Sequence, residues 1–206
     1  MVIDVDYDVA TGVTDKEEKV YLKRYAPEVT KLVKYIIREE LFTKIEGDKP
    51  EEVMAKLSIV NTILVSISFA SEEDIREINR EYRNVDRSTD VLSFPMFAID
   101  EIKEMKKHVK ASVKAYELDR STVKDKYKFN NSKFSNITLG DILICFDVVK
   151  RQAAEYDHSL GRELMYMITH AMLHLFGYDH EIEEDKRKMR KREECILNRF
   201  GYKLED

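Results

Sequence analysis

The sequence predicts an α/β (α+β) protein of one domain, a mixed β-sheet covered by helices, and three observations carry that expectation. Short β-branched runs such as "ILVSISF" and "LGDILICF" alternate with amphipathic stretches of helical period. The 206 residues are 43% hydrophobic and 36% charged, without repeats or low-complexity tracts, which fits a single domain over 1–206. Late in the chain a long apolar helical pattern stops at Gly177, as a helix closed by a left-handed residue does.

Taken in order, Val2 to Val9 alternates Ile3, Val5, Tyr7 and Val9 with aspartates, the pattern of a half-exposed strand. Thr14 with Glu17 has the form of a capping box. It opens a helix whose apolar positions run from Leu22 to Ile36, with Pro27 as a point of kink or division. "EGDKP" is a turn cluster, followed by a short helical stretch near Glu51 to Leu57. Ile63 to Phe69 reads as a strand. Ser71 caps a helix from Glu72 to about Arg83, with Ile75, Ile78 and Tyr82 on its inner face. "TDVLSFP" is a strand ended by Pro95, and "LGDILICF" is apolar enough for a strand covered on both faces. Helices follow from about Asp147 to Tyr156, Leu160 to Phe176 and Ile182 to Phe200.

Composition excludes several classes. Cys145 and Cys195 form no C-x-x-C pair, which speaks against a disulfide framework and for a reducing cytoplasm, with both thiols buried. The N-terminal stretch has no signal-peptide pattern, and no apolar run reaches the ~18–20 residues a bilayer needs, so neither secretion nor a membrane is expected. The net charge of −5 gives no general support for nucleic-acid binding. From Phe97 to Thr138, however, nine lysines and one arginine face six acidic residues, a balance of +4 that leaves −9 for the remainder. Within this basic insertion, at about 97–138, a helix with Ile102, Met105, Val109 and Val113 on one side would carry Lys103, Lys106, Lys107, Lys110 and Lys114 beside it. That split suits a path for RNA, a lid over a cleft or a plain surface helix.

"HAMLHLFGYDH" holds three of the five histidines. His170 and His174, four apart, share one helix face. Gly177 lets the chain turn back and return His180 to the same point. Three imidazoles with an open fourth position describe a catalytic metal site in which water is acidified. The spacing is that of the zincin signature H-E-x-x-H-x-x-G-x-x-H, a metal helix followed by a glycine turn, except that Ala171 replaces the glutamate. Alanine cannot take the water proton as that glutamate does in peptidases. Phosphodiester cleavage instead asks for charge stabilisation by a metal and an arginine or lysine. His108 and His158 lie outside the cluster and are expected at the surface. Asp90 and Asp141, which start apolar strands, are candidates either to support a metal-bound histidine or to cap turns.

"NREYRNVDRSTDVLSFP", "LGDILIC" and "HAMLHLFGYDH", in that order, resemble the YbeY rRNA maturation factors, single-strand-specific, metal-dependent endoribonucleases of bacteria. The likeness runs from about Ile63 onward. It implies an α/β fold and one transition-metal ion, zinc, held by His170, His174 and His180. It also implies single-stranded rRNA as substrate, with small-subunit 3′-end processing and ribosome quality control as the task, a ribosome or ribosomal proteins as partners, and no DNA. Arg83 matches the family's functional arginine, whose planar fork suits a phosphate. Ala171 stands where that family usually has glycine, a change helices tolerate. The segment between "LSFP" and "LGDI" is longer than usual. The competing readings are a zincin-type metallopeptidase, which needs a carboxylate near the metal, and a non-catalytic ribosome-associated module, which needs a fourth protein ligand.

Overall fold

The two β-branched runs become the centre of a four-stranded sheet. The structure, a computed structural model, describes residues 2–9, 13–41, 60–118 and 136–203. Strands β1 (Val2–Asp8), β2 (Thr62–Ala70), β3 (Val91–Pro95) and β4 (Asn136–Cys145) lie in the order β1-β2-β4-β3. β1, β2 and β4 are parallel, and β3 runs antiparallel to β4 at the edge. Between the strands come helices α1 (Lys16–Leu41), α2 (Glu72–Arg83) and α3 (Ile99–Leu118), and after β4 come α4 (Phe146–Glu155), α5 (Leu160–Leu175) and α6 (Glu183–Arg199). The expected turn at "EGDKP" and the helical stretch near Glu51 to Leu57 lie outside the described residues.

One face of the sheet carries the main core, in which Leu22, Leu32 and Ile36 of α1 meet Ile63, Val65 and Ile67 of β2 and the apolar side chains of α5. The other face holds a smaller cluster of Ala70, Ile75, Leu92 and Cys145 beneath α2. β4 is therefore covered on both faces, as its continuous apolar run predicts. Gly140 breaks that run for a reason. It faces Val65 just after a register shift, at φ 154°, and a Cβ there would stand 2.4 Å from the Phe94 carbonyl oxygen and 2.8 Å from the Leu175 side chain. The missing side chain lets the edge strand β3 and helix α5 close on β4 together.

Local chemistry departs from the sequence expectation in several places. α1 begins at Lys16, and Asp15, not Thr14, caps it: one carboxylate oxygen accepts from the Glu17 and Glu18 amides at 2.8 and 3.0 Å. The helix runs through Pro27 undivided, because the same core takes its apolar stripe on either side of the proline. In α2, Ser71 accepts from the Asp74 amide as expected, but Tyr82 is exposed while Asn79 is buried. Asn79 donates to the Arg87 carbonyl at 2.8 Å and so ties the loop after α2 back onto the helix. Cys145 is buried, but Cys195 is exposed, since α6 turns Met189, Ile196 and Leu197 inward instead. In α3, Ile102, Met105, Val109 and Val113 are all buried, so the inserted helix is part of the core. Among the described residues, no helix is long and apolar enough to cross a membrane.

Candidate metal centre

α5 is the most enclosed helix, capped by Ser159, whose hydroxyl accepts from the Arg162 amide at 3.2 Å. Nearly every side chain along it is buried, Ala171 included, whereas His170 and His174 share the half-buried face. Its C-terminus is a Schellman turn: the Gly177 amide donates to the His174 carbonyl and the Tyr178 amide to the Leu173 carbonyl, at 2.9 and 3.0 Å. Gly177 at φ 80° supplies the left-handed residue this turn requires. The chain then returns His180 to the helix face, as the spacing predicts. Ligand atoms of His170, His174 and His180 all lie within 4.8 Å of one another.

The orientation of the first two rings is fixed from behind. His170 Nδ1 lies 2.7 Å from Glu193 Oε1, and His174 Nδ1 lies 2.9 Å from the Tyr178 carbonyl oxygen. A carboxylate and a carbonyl only accept, so each Nδ1 carries the hydrogen and each Nε2 presents a lone pair. Those two Nε2 atoms face each other at 3.1 Å. Two lone pairs at that distance repel unless a cation lies between them, so the donor set fits a metal ion. Burial, together with the neighbouring His170 and His180 rings, lowers the His174 pKa to about 4, which keeps this ring neutral and able to coordinate. Among the described residues no fourth histidine, cysteine or carboxylate joins the group.

The turn that delivers His180 is clamped by a polar cluster unsuspected from the sequence. Glu40 of α1, almost fully buried, accepts from Lys106 Nζ at 3.1 Å, Arg192 Nε at 2.8 Å and the Tyr178 hydroxyl at 3.2 Å. Lys106 also stands 5.3 Å above the Phe176 ring and 5.7 Å above the Tyr178 ring. Lys106 is thus turned inward, and Lys103 pairs with Asp100 at 3.3 Å, leaving Lys107, Lys110 and Lys114 as the exposed members of the expected stripe, without an ion-pair partner among the described residues. Ile99, at the start of α3, packs beside Gly177.

The other named residues divide. Arg83 ends α2, exposed and without a hydrogen-bond or ion-pair partner among the described residues. Its loop is tied back to the helix: Asn84 takes the left-handed cap at φ 56°, and Arg76 pairs with Asp86 through two bonds of 2.8 and 3.1 Å. α2 packs on β2 and β4, and the histidines come from α5 and its turn. Asp90 caps a turn: its oxygens accept from Thr89, the Val91 amide and Gln152. Asp141 sits within β4 opposite Phe94. The histidine support foreseen for one of these two comes instead from Glu193, a residue the sequence reading passed over. His158, expected at the surface, is half-buried, 3.0 Å from Glu163 and 2.6 Å from Arg162.

Comparison with known proteins converges on one family. The family model described as Endoribonuclease YbeY matches residues 16–201. The Endoribonuclease YbeY of Clostridium acetobutylicum is 47% identical over 138 residues, 66% of this chain and 74% of that protein. That of Caldanaerobacter subterraneus subsp. tengcongensis is 39% identical over 145 residues, 70% and 78% of the two chains. That of Clostridium botulinum strain Alaska E43 is 36% identical over 188 residues, 90% and 94%. Among solved structures, the solution structure of TM1509 from Thermotoga maritima covers 96% of this chain at 21% identity and a TM-score of 0.47. With the family's model spanning nearly the whole chain, this protein belongs to the Endoribonuclease YbeY family.

Proposed function

We propose that the protein is a zinc-dependent endoribonuclease that cleaves single-stranded rRNA during maturation, including the small-subunit 3′ end, with a role in ribosome quality control in the cytoplasm and with the ribosome as partner. The observation that carries this reading is the pair of imidazole lone pairs facing each other at 3.1 Å, each ring held from behind. His170, His174 and His180 would hold the ion, which when bound supplies a Lewis acid and lowers the pKa of water. Glu193 and the Tyr178 carbonyl keep Nε2 of the first two rings directed at it. Arg83, whose guanidinium has no partner among the described residues, would take a phosphate of the strand bidentately and hold charge that develops during cleavage. Among the described residues the peptidase alternative has no base in its usual place, because Ala171 occupies the glutamate position and Glu193 sits behind His170. The structural-metal alternative lacks a fourth ligand among the described residues.

Metal analysis of the wild type against a His170→Ala, His174→Ala double variant tests the site, with one ion per chain expected in the first and none in the second. Equal metal in both would refute it. For Arg83, the Arg83→Glu variant should lose cleavage of single-stranded RNA by more than Arg83→Ala, with metal content unchanged. Wild-type cleavage by the glutamate variant would remove Arg83 from the mechanism.

A further inference from the structure

Glu40 breaks two local rules at once. It lies in the last turn of α1, where the helix dipole disfavours an anion, and only 6% of its side chain is exposed, which disfavours the charge again. Two cations and a hydroxyl answer it: Lys106 Nζ of α3 at 3.1 Å, Arg192 Nε of α6 at 2.8 Å and the Tyr178 hydroxyl at 3.2 Å. Withdrawing any of these donors would leave buried charge underpaired, so the carboxylate fixes where all three sit. A residue placed against its local preferences in this way is a candidate for a role in a site.

Two of those donors are one step from the histidines. Tyr178 donates its hydroxyl to Glu40, and its backbone carbonyl accepts from His174 Nδ1 at 2.9 Å. Arg192 directly precedes Glu193, whose carboxylate stands 2.7 Å from His170 Nδ1. The acceptors behind both rings therefore belong to segments anchored on one carboxylate, the turn after α5 and helix α6. His180 follows Tyr178 by two residues on the same turn. Lys106 adds cover from α3, standing above the Phe176 and Tyr178 rings as well as bonding Glu40. The direction of an imidazole lone pair follows the acceptor behind the ring, so whatever holds both acceptors holds the donor set.

We propose that Glu40 is a positioning residue of the metal centre. Through the Tyr178 hydroxyl and through Arg192 it sets where the Tyr178 carbonyl and Glu193 stand, and through them the direction of the His174 and His170 lone pairs. The assignment rests on the metal reading above. It makes the centre depend on the docking of α1, α3 and α6, none of which supplies one of the three histidines.

The test uses the full chain, with zinc affinity measured by competition against a chelator and with Co2+ bound in place of zinc, since the visible absorption of Co2+ follows the geometry of its ligands. Tyr178→Phe removes one hydroxyl and keeps the carbonyl that His174 uses. Glu40→Gln keeps the shape and removes the charge. Zinc affinity should fall about 2- to 10-fold in Tyr178→Phe, the worth of one hydrogen bond, and further in Glu40→Gln, which loosens both acceptors. The cobalt spectrum should shift in both. Val29→Ala, buried in α1 eleven residues before Glu40, lowers stability away from the cluster and should leave affinity and spectrum as in the wild type. Wild-type affinity and spectrum in Tyr178→Phe, or in folded Glu40→Gln, would overturn the role of Glu40 and leave the metal site standing. A Val29→Ala variant that shifts both readouts as far as Tyr178→Phe would overturn it too, by tracing the effect to stability alone. Failure of the wild type to bind either metal would overturn the metal reading itself, and the role of Glu40 with it.

Discussion

At the scale of single residues, the most consequential side chain is Glu193, because it decides which nitrogen of His170 is free. Glu193→Gln preserves shape but replaces a charged acceptor by a neutral one, and zinc affinity should fall about 10- to 100-fold, as for other partners behind metal ligands. Competition against a fluorescent chelator measures it, and an unchanged affinity would make Glu193 a packing residue only. His174 yields a pH prediction. Its pKa is lowered to about 4 in the folded protein from an ordinary 6.5, so the unfolded chain binds more protons between those values. Stability of the metal-free protein should therefore be complete above about pH 6.5 and decline as pH falls toward 4. Melting temperature followed across that window should drop, and the drop should be shallower in His174→Gln.

At the scale of elements, the turn after α5 and the clamp beneath it do the positioning. Gly177→Ala places a Cβ at φ 80° and 3.4 Å from Ile99, at a cost of about 1–2 kcal/mol, and should weaken metal binding through displacement of His180. Differential unfolding together with zinc titration reads both effects. Glu40→Ala should destabilise more, toward the ~3–5 kcal/mol of a broken buried pair, moderated because Lys106 keeps 31% of its side chain exposed. Denaturant unfolding checks the magnitude, and a loss below about 1 kcal/mol would mean that the clamp is ornamental to the fold. These two glutamates also mark where sequence reasoning stopped. Strands, helices and the histidine turn were legible because apolar period and a glycine break are local signals. Glu40 and Glu193 make long-range contacts, across 152 residues to Arg192 and 23 to His170, which no local pattern encodes. A trace existed: Glu40 lies four after Ile36 and Glu193 four after Met189, both on apolar stripes where a carboxylate must find a partner. The stripe of five lysines failed for the same reason in reverse, since Lys106 lies at the boundary of the α3 faces and Glu40, far away in sequence, draws it in.

At the scale of the whole molecule, the core is complete without the metal. α5 is buried against α1, α4, α6, β3 and β4, and its histidines sit where that packing ends. Chelation should thus leave a folded protein with reduced melting temperature rather than an unfolded chain. Restoring zinc at about 1,000 times its Kd should return about 4 kcal/mol. Circular dichroism of the chelated protein at 25 °C tests this, and loss of helical signal would show that the metal is needed to fold. The order of these parts along the chain has a further consequence for a protein made from its N-terminus onward. All three histidines leave the ribosome before α6 does. A product that stops before α6 therefore holds the three histidines without the carboxylate that orients the first of them.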